Sequence, residues 1–330
     1  MGGGSWGTAI AHLLRRNETP TLHWMRDAKM AKAIAKKGVN ERYLPGLQLA
    51  SGIETTTSLE EVAQRCRLIF VVVPTKVMRT VVRTLGDHLL ADHLLVSCSK
   101  GLEPETAKRM TEILREETCC LRVGALSGPN LAKEVLADHP SATVVASEYD
   151  EVIVEATRAL MSPQFRVYGN HDVLGVELGG ALKNVAAIAA GVAAGLGFGD
   201  NTKALIVTRG LAEIRRLGAA LGADPNTFSG LAGVGDLMVT CASAQSRNNQ
   251  VGRRLAAGQN LDQIRDEMNQ VAEGVNTARV ATELAEDLGI EMPLAKAVYE
   301  VAWLERSAPE VLKELMVTQA LYEVDAPIPV

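Results

Sequence analysis

A doubly wound α/β sheet followed by an all-α domain is the fold class this sequence predicts, and three observations predict it. Short β-branched runs alternate with helix-length amphipathic segments up to about residue 170. Strand signals then stop, and from Val173 onward only helical periodicity and loops remain. At 330 residues the chain is long enough for two cores, with an expected division into 1–170 and 171–330.

The chain opens with Met1-Gly2-Gly3-Gly4-Ser5-Trp6-Gly7, where Gly2, Gly4 and Gly7 have the G-x-G-x-x-G spacing that lets backbone approach a pyrophosphate at a helix start. Thr8–Arg16 continues as that helix. In a Rossmann-type sheet an apolar strand precedes such a loop, so the first strand is expected to be missing here and the start to lie upstream. Thr21–Trp24 reads as a short strand. Arg26 follows about 20 residues past the glycines, where an acid normally takes the ribose 2′-hydroxyl and an Arg accepts a 2′-phosphate. The balance leans to NADP, with Asp27 pulling the other way.

Ala28–Lys37 is helix-like, and an irregular stretch runs through Tyr43-Leu44-Pro45-Gly46. Leu68–Val73, stopped by Pro74, is the β-branched run of a strand buried on both faces. Helix Lys76–Leu85 and strand Leu94–Ser97 follow, and Ser99-Lys100-Gly101 lies at the strand's carboxyl end, the edge where open α/β sheets bind ligands. Lys100 there either meets an anion or is simply solvated. Glu105–Glu116 should be helix and Leu121–Leu126 strand. Ser127-Gly128-Pro129-Asn130 should be a turn opening a helix at Leu131–Leu136, a cradle for a carboxamide or phosphate. Ser141–Ala146, helix Glu151–Met161 and strand Phe165–Tyr168 complete the alternation.

The helical half is organised around Leu174–Leu196, whose small apolar composition is that of a helix buried on nearly every side. It carries one strong cation, Lys183. Its neighbours one turn away are Gly179, Gly180, Ala186 and Ala187, none able to cover it, so the amine faces bare backbone. Lost hydration would lower the amine's pKa and fit it for proton transfer; the other reading is a buried stem with its head in water. Gly230–Asp236 is a glycine-rich break, and Asp236 could orient Lys183 or simply cap a helix. Ser246-Arg247-Asn248-Asn249 reads as a helix start before Gln250–Ala257, with the guanidinium, amides and N–H groups that a phosphate monoester needs. Val271–Thr277 is another polar turn, Ala278–Met316 reads as amphipathic helices, and Thr318–Val330 as a loose tail.

The net charge of −5 gives no basic footprint for nucleic acid. The longest charge-free run, Val185–Gly199, is too short and glycine-rich for a membrane span, and the N-terminus has no secretory pattern; a cytoplasmic protein is expected. The 5 cysteines form no C-x-x-C pair and read as reduced thiols. The 6 histidines include no H-E-x-x-H, so no metal site is expected.

Taken together, GGGSWGTAIA, SKGLE at Ser99–Glu103, SGPNLAKE at Ser127–Glu134, GVELGGALKN at Gly175–Asn184, GLAGVGDL at Gly230–Leu237, QSRNNQVG at Gln245–Gly252 and AEGVNT at Ala272–Thr277 resemble the bacterial NAD(P)-dependent sn-glycerol-3-phosphate dehydrogenases. The blocks follow the family's order across nearly the whole chain. The resemblance implies reversible reduction of dihydroxyacetone phosphate to sn-glycerol 3-phosphate with NADP or NAD, for phospholipid synthesis. It implies Lys183 as proton donor and acceptor. Besides the loop glycines, it places Ser5, Trp6, Arg26, Lys100, Ala132, Arg247, Val271 and Glu273 at the dinucleotide. It places Lys100, Gly128, Asn130, Lys183, Asp236, Ser246, Arg247 and Asn248 at the substrate. Asn130 stands where many members carry Ser or Thr, although an amide can still hydrogen-bond there.

The expected partners are the triose or glycerol phosphate and a second copy of the chain in a homodimer, with neither nucleic acid nor membrane span. Two other readings stay open. A related β-hydroxyacid dehydrogenase would want a carboxylate clamp, not a phosphate clamp. A non-catalytic dinucleotide-binding protein could follow from loss of the first strand.

Overall fold

The computed structural model of the chain describes residues 1–268 and 272–317. Contacts divide it into two compact units: Met1–Gly180 with Ser229–Asp236, and Ala181–Phe228 with the chain from Leu237 onward.

In the first unit helices and strands alternate as α1 (Ser5–Arg16), β1 (Leu22–Trp24), α2 (Ala28–Lys37), β2 (Glu54–Thr56), α3 (Leu59–Arg65), β3 (Leu68–Val71), α4 (Thr75–Gly86) and β4 (Leu94–Ser97). They continue as α5 (Met110–Glu117), β5 (Val123–Ser127), α6 (Ala132–Leu136), β6 (Ser141–Ser147), α7 (Asp150–Leu160) and β7 (Phe165–Asn170). Five strands pair in the order β3-β4-β5-β6-β7, and β1-β2 form a separate parallel pair. Side chains alternate along β3: Ile69 and Val71 join a core with Met78, Val82 and Ile113 on one face, while Phe70 joins Ile10, Leu13 and Val152 on the other. Both faces are thereby covered by helices, as a doubly wound sheet requires.

Two residues of backbone, Met1 and Gly2, lie where the glycine loop calls for a central strand. The Met1 ammonium donates to Phe70 O at 2.6 Å and Val72 N donates to Met1 O at 2.9 Å. On the other side Gly2 N donates to Trp24 O at 2.8 Å. Met1 and Gly2 thus bridge β1 and β3, a gap that no other segment among the described residues fills.

The sheet is mixed, since β6 runs antiparallel to β5 after a connection that holds only the short α6. One expected helix needs correction. The helix expected from Glu105 begins at Met110. Ahead of it Glu103 is tied down by Arg79 at 2.8 and 2.7 Å and by the Thr106 hydroxyl, and Ala107 adopts φ 56°, which no helix continues through. Finally, β2 and α3 went unassigned in the sequence. β2 has only three residues and gives no periodicity to detect.

Residues Val173–Gly195 form one helix, α8. By length and composition it could cross a membrane, but 89% of its most apolar stretch is buried inside the protein. The two compact units divide after Gly180 on this helix. Val173, Val176 and Ala232 share a buried cluster with Ala125, Val144 and Ala146 of the sheet, so the start of α8 and the 229–236 segment go with the first unit.

The second unit adds α9 (Asp200–Ala220), α10 (Asp236–Ala242), α11 (Arg247–Ala256), α12 (Leu261–Glu267), α13 (Gly274–Leu288), α14 (Pro293–Trp303) and α15 (Ala308–Val317), α10 beginning on the first unit's last residue. Helices α8 and α11 cross backbone to backbone. A Cβ on Gly191 would sit 2.1 Å from Asn249 O, and one on Gly252 would sit 2.0 Å from Ile188 O. Only glycine at both positions permits that approach, which fixes the start of α11 against α8. The tail Thr318–Val330 lies outside the described residues.

Candidate active site

In the first unit the three loop glycines have three different surroundings. A Cβ on Gly2 would lie 2.3 Å from Val72 O, and its φ of 111° suits only glycine. One on Gly7 would lie 2.0 Å from Gly2 O, so α1 packs directly onto the N-terminal backbone. One on Gly4 would meet nothing within 4 Å. Gly4 is also the N-cap of α1, where no side chain caps the helix and no acid sits in the first turn. Uncapped N–H groups, the positive end of the helix dipole and a glycine with open space fit a pyrophosphate. Beside them the indole Nε1 of Trp6 is buried and, among the described residues, has no hydrogen-bond partner, which leaves a donor for an incoming acceptor. Ser5 donates its hydroxyl to Tyr43 O at 3.3 Å.

Arg26 follows β1 and is exposed. Asp27 is the N-cap of α2, its Oδ1 accepting from Lys29 N at 2.9 Å and Met30 N at 3.1 Å. Those backbone bonds, Met30's first, hold its carboxyl below the usual range.

At the carboxyl end of β4, Lys100 donates to Gly128 O at 2.7 Å and to Asp236 Oδ2 at 2.6 Å. Gly128 presents that carbonyl from φ 132°. Asp236 is almost wholly buried, so this is a charge-assisted bond with little competing water. Lys100 is therefore not the solvated strand-end lysine that one reading allowed. Asn130 is placed beside Gly128, but its amide is used inside the protein. Nδ2 donates to Ala142 O at 3.2 Å and Oδ1 accepts from Thr143 Oγ1 at 3.0 Å. Ala132 is half-buried at the first turn of α6.

Gly179 and Gly180, read as leaving a bare face, are instead sites of close approach. A Cβ on Gly179 would come 2.6 Å from Ala232 O, and one on Gly180 would come 2.5 Å from Ser127 Oγ. Polar backbone and hydroxyl, not open space, fill what the missing side chains leave.

In the second unit Lys183 is only 6% exposed, and its Nζ donates to Thr240 Oγ1 at 2.8 Å. Sequence reasoning does not single out Thr240 as a partner of this amine. The signal was there, since Thr240 lies one helical turn beyond Asp236, on the same face of α10. Ser246 is the N-cap of α11 and accepts from Asn249 N at 3.3 Å, and Arg247 stands exposed at the first helical position.

Asn248 differs from expectation. It is buried, its Nδ2 donates to Asn184 Oδ1 at 2.8 Å, and its Oδ1 accepts from Gly274 N at 3.0 Å. The amide buckles α8, α11 and α13 together, so a phosphate at this helix start would meet the backbone N–H of Asn248 more readily than its side chain. Glu273, half-buried, precedes Gly274 as the N-cap of α13. Val271 lies outside the described residues.

The chain matches the family model described as NAD-dependent glycerol-3-phosphate dehydrogenase N-terminus over residues 1–153, and its C-terminus counterpart over 172–313. It is 47% identical over 327 residues to glycerol-3-phosphate dehydrogenase [NAD(P)+] of Pseudomonas paraeruginosa, covering 98% of this chain and 95% of that one. It is 48% identical over 326 residues to the enzyme of that name from Ectopseudomonas mendocina, with the same coverage. Among solved structures, glycerol-3-phosphate dehydrogenase of Coxiella burnetii superposes with a TM-score of 0.90 at 32% identity, covering 95% of this chain and 96% of that one.

Proposed function

Since this chain belongs to the NAD-dependent glycerol-3-phosphate dehydrogenase family, we propose that it interconverts dihydroxyacetone phosphate and sn-glycerol 3-phosphate with NAD(P)(H), as a soluble cytoplasmic homodimer that supplies phospholipid synthesis. The observation that carries the chemistry is a buried amine, Lys183, held at 2.8 Å by the Thr240 hydroxyl.

A nicotinamide dinucleotide, when bound, would supply the hydride. Lys183 in its ammonium form donates a hydrogen bond to the ketone oxygen and passes a proton to the alkoxide that develops at C2. In the reverse direction its neutral amine removes the hydroxyl proton. Thr240 aims the amine. Arg247 and the backbone N–H groups at the start of α11 hold the phosphate, whose binding energy fixes C2 for reaction. Lys100, Gly128, Asn130, Asp236 and Ser246 complete the substrate residues of this reading, Asn130 and Ser246 by shaping backbone. Gly2, Gly4, Ser5, Trp6, Gly7, Arg26, Lys100, Ala132, Arg247, Val271 and Glu273 are its dinucleotide residues.

The test is NADPH oxidation with dihydroxyacetone phosphate, with dihydroxyacetone, and with a β-ketoacid of similar size. Turnover that depends on the phosphate is the expected result. Preference for the acid would overturn the assignment of the phosphorylated substrate.

A further inference from the structure

The turn that follows α2 is fastened to the glycine loop. Asn40, almost wholly buried, donates its Nδ2 to Gly3 O at 3.0 Å and to Thr8 Oγ1 at 2.8 Å. Leu44 N closes the turn onto Asn40 O at 2.8 Å, and the Ser5 hydroxyl reaches Tyr43 O. Backbone on either side of Arg42 is thereby fixed to the segment that would carry the pyrophosphate. The Arg42 side chain is 63% exposed, with its guanidinium carbon 5.3 Å from the centre of the Tyr43 ring and its Nη1 3.8 Å from Asp27 Oδ2. An anchored backbone, a ring beneath it and an acid beside it narrow the directions in which that guanidinium can point.

Asp27 is the acid that follows β1 and could select a ribose 2′-hydroxyl, and both of its oxygens already face other groups. Its Oδ1 holds the first N–H groups of α2, and its Oδ2 faces Arg42. Arg26, next to it in the chain, is exposed and, among the described residues, makes no ion pair. The end of β1 therefore offers two guanidinium groups beside a carboxylate that already holds the start of α2 and faces Arg42. A phosphate dianion gains charge-assisted bonds from such a pair, whereas a ribose hydroxyl gains little. We propose that Arg42, together with Arg26, receives the 2′-phosphate of NADP and that Arg42 is a specificity-determining residue for NADP over NAD. This rests on the dinucleotide reading given above.

Calorimetric titration with adenosine 2′,5′-bisphosphate and with 5′-AMP, on the full chain and on R42A and R42K, tests it without turnover. The unaltered protein should bind the bisphosphate more tightly than 5′-AMP. R42A should lose about tenfold in affinity for the bisphosphate, the size of one charge-assisted bond, with 5′-AMP unaffected, and R42K should recover part of the loss. The ratio of kcat/KM for NADPH to that for NADH should fall in parallel. No change in R42A, or an equal loss for both nucleotides, overturns the assignment of Arg42 and leaves the dinucleotide reading standing. Binding of neither nucleotide by the unaltered protein overturns both.

Discussion

The Lys183 ammonium and the Thr240 hydroxyl lie 2.8 Å apart, one from the middle of α8 and the other from α10. A buried lysine that moves a proton must keep its nitrogen aimed through both protonation states, and a hydroxyl can do this because it accepts from the ammonium and donates to the amine. Removing the amine and removing its guide should therefore have separable effects. Lys183→Ala is expected to lower kcat by two or more orders of magnitude, the usual worth of a general acid–base, with NADPH affinity nearly unchanged. Thr240→Val should cost about tenfold in kcat, in keeping with one hydrogen bond to a charged group. Near-normal turnover in Lys183→Ala would remove the proposed role.

The glycine loop makes a contrast that stability and binding measurements can resolve. Gly7→Ala places a methyl 2.0 Å from Gly2 O and should lower the melting temperature, because backbone must move. Gly4→Ala meets nothing within 4 Å and should leave the melting temperature within about a degree, yet weaken NADPH binding by crowding the pyrophosphate. Thermal unfolding with and without NADPH separates the two. Equal behaviour would count against Gly4 as the cofactor-facing position.

At the start of α11 neighbouring residues should fail in different ways. Arg247→Ala should raise KM for dihydroxyacetone phosphate about tenfold or more, with little change in stability, since the side chain is exposed. Asn248→Ala should destabilise the fold by about 1–3 kcal/mol, because Asn184 Oδ1 and Gly274 N both lose their partner in a buried place. A urea titration of each variant beside its kinetics makes the comparison. An Asn248→Ala protein as stable as the parent would show that the amide does not hold the helices.

Glu213 gives a pH dependence that has nothing to do with the reaction. On α9 it is 3% exposed and accepts from Leu294 N at 2.6 Å and Ala295 N at 3.1 Å, capping α14. Burial outweighs these bonds and pushes its carboxyl from 4.5 up to about 7. Between those values the folded chain retains a proton that the unfolded chain has released, so this group's contribution to stability falls as pH rises and levels off above about 7. The slope is about 1.4 kcal/mol per pH unit. Urea midpoints from pH 5 to 8 should show it, and Glu213→Gln should flatten it. An unchanged profile in that variant would assign the slope elsewhere.

The limits of local reasoning show at particular residues. Ala28–Lys37 and Leu94–Ser97 were placed to the residue, because apolar period and flanking breaks are local properties. β2 gives no period in three residues, and the helix expected from Glu105 starts only at Met110 since Glu103 binds Arg79, 24 positions away. Thr240 lay within reach of a spacing argument, whereas the occupied amide of Asn248 did not, its partners standing 64 and 26 positions off.

By itself the sequence determined the order of strands and helices apart from β2 and α3, the family and the chemical types available: a helix-borne amine, an arginine at a helix start and a glycine loop. Tertiary structure alone decided which of those groups are free to act. It paired Lys100 with Asp236, gave Lys183 to Thr240, spent Asp27 on α2 and Asn248 on its neighbouring helices, and set Met1 and Gly2 between β1 and β3. The physical reason is that a hydrogen-bonding group in a buried place must find a partner, and when the partner is distant in the chain only the packed fold brings it there.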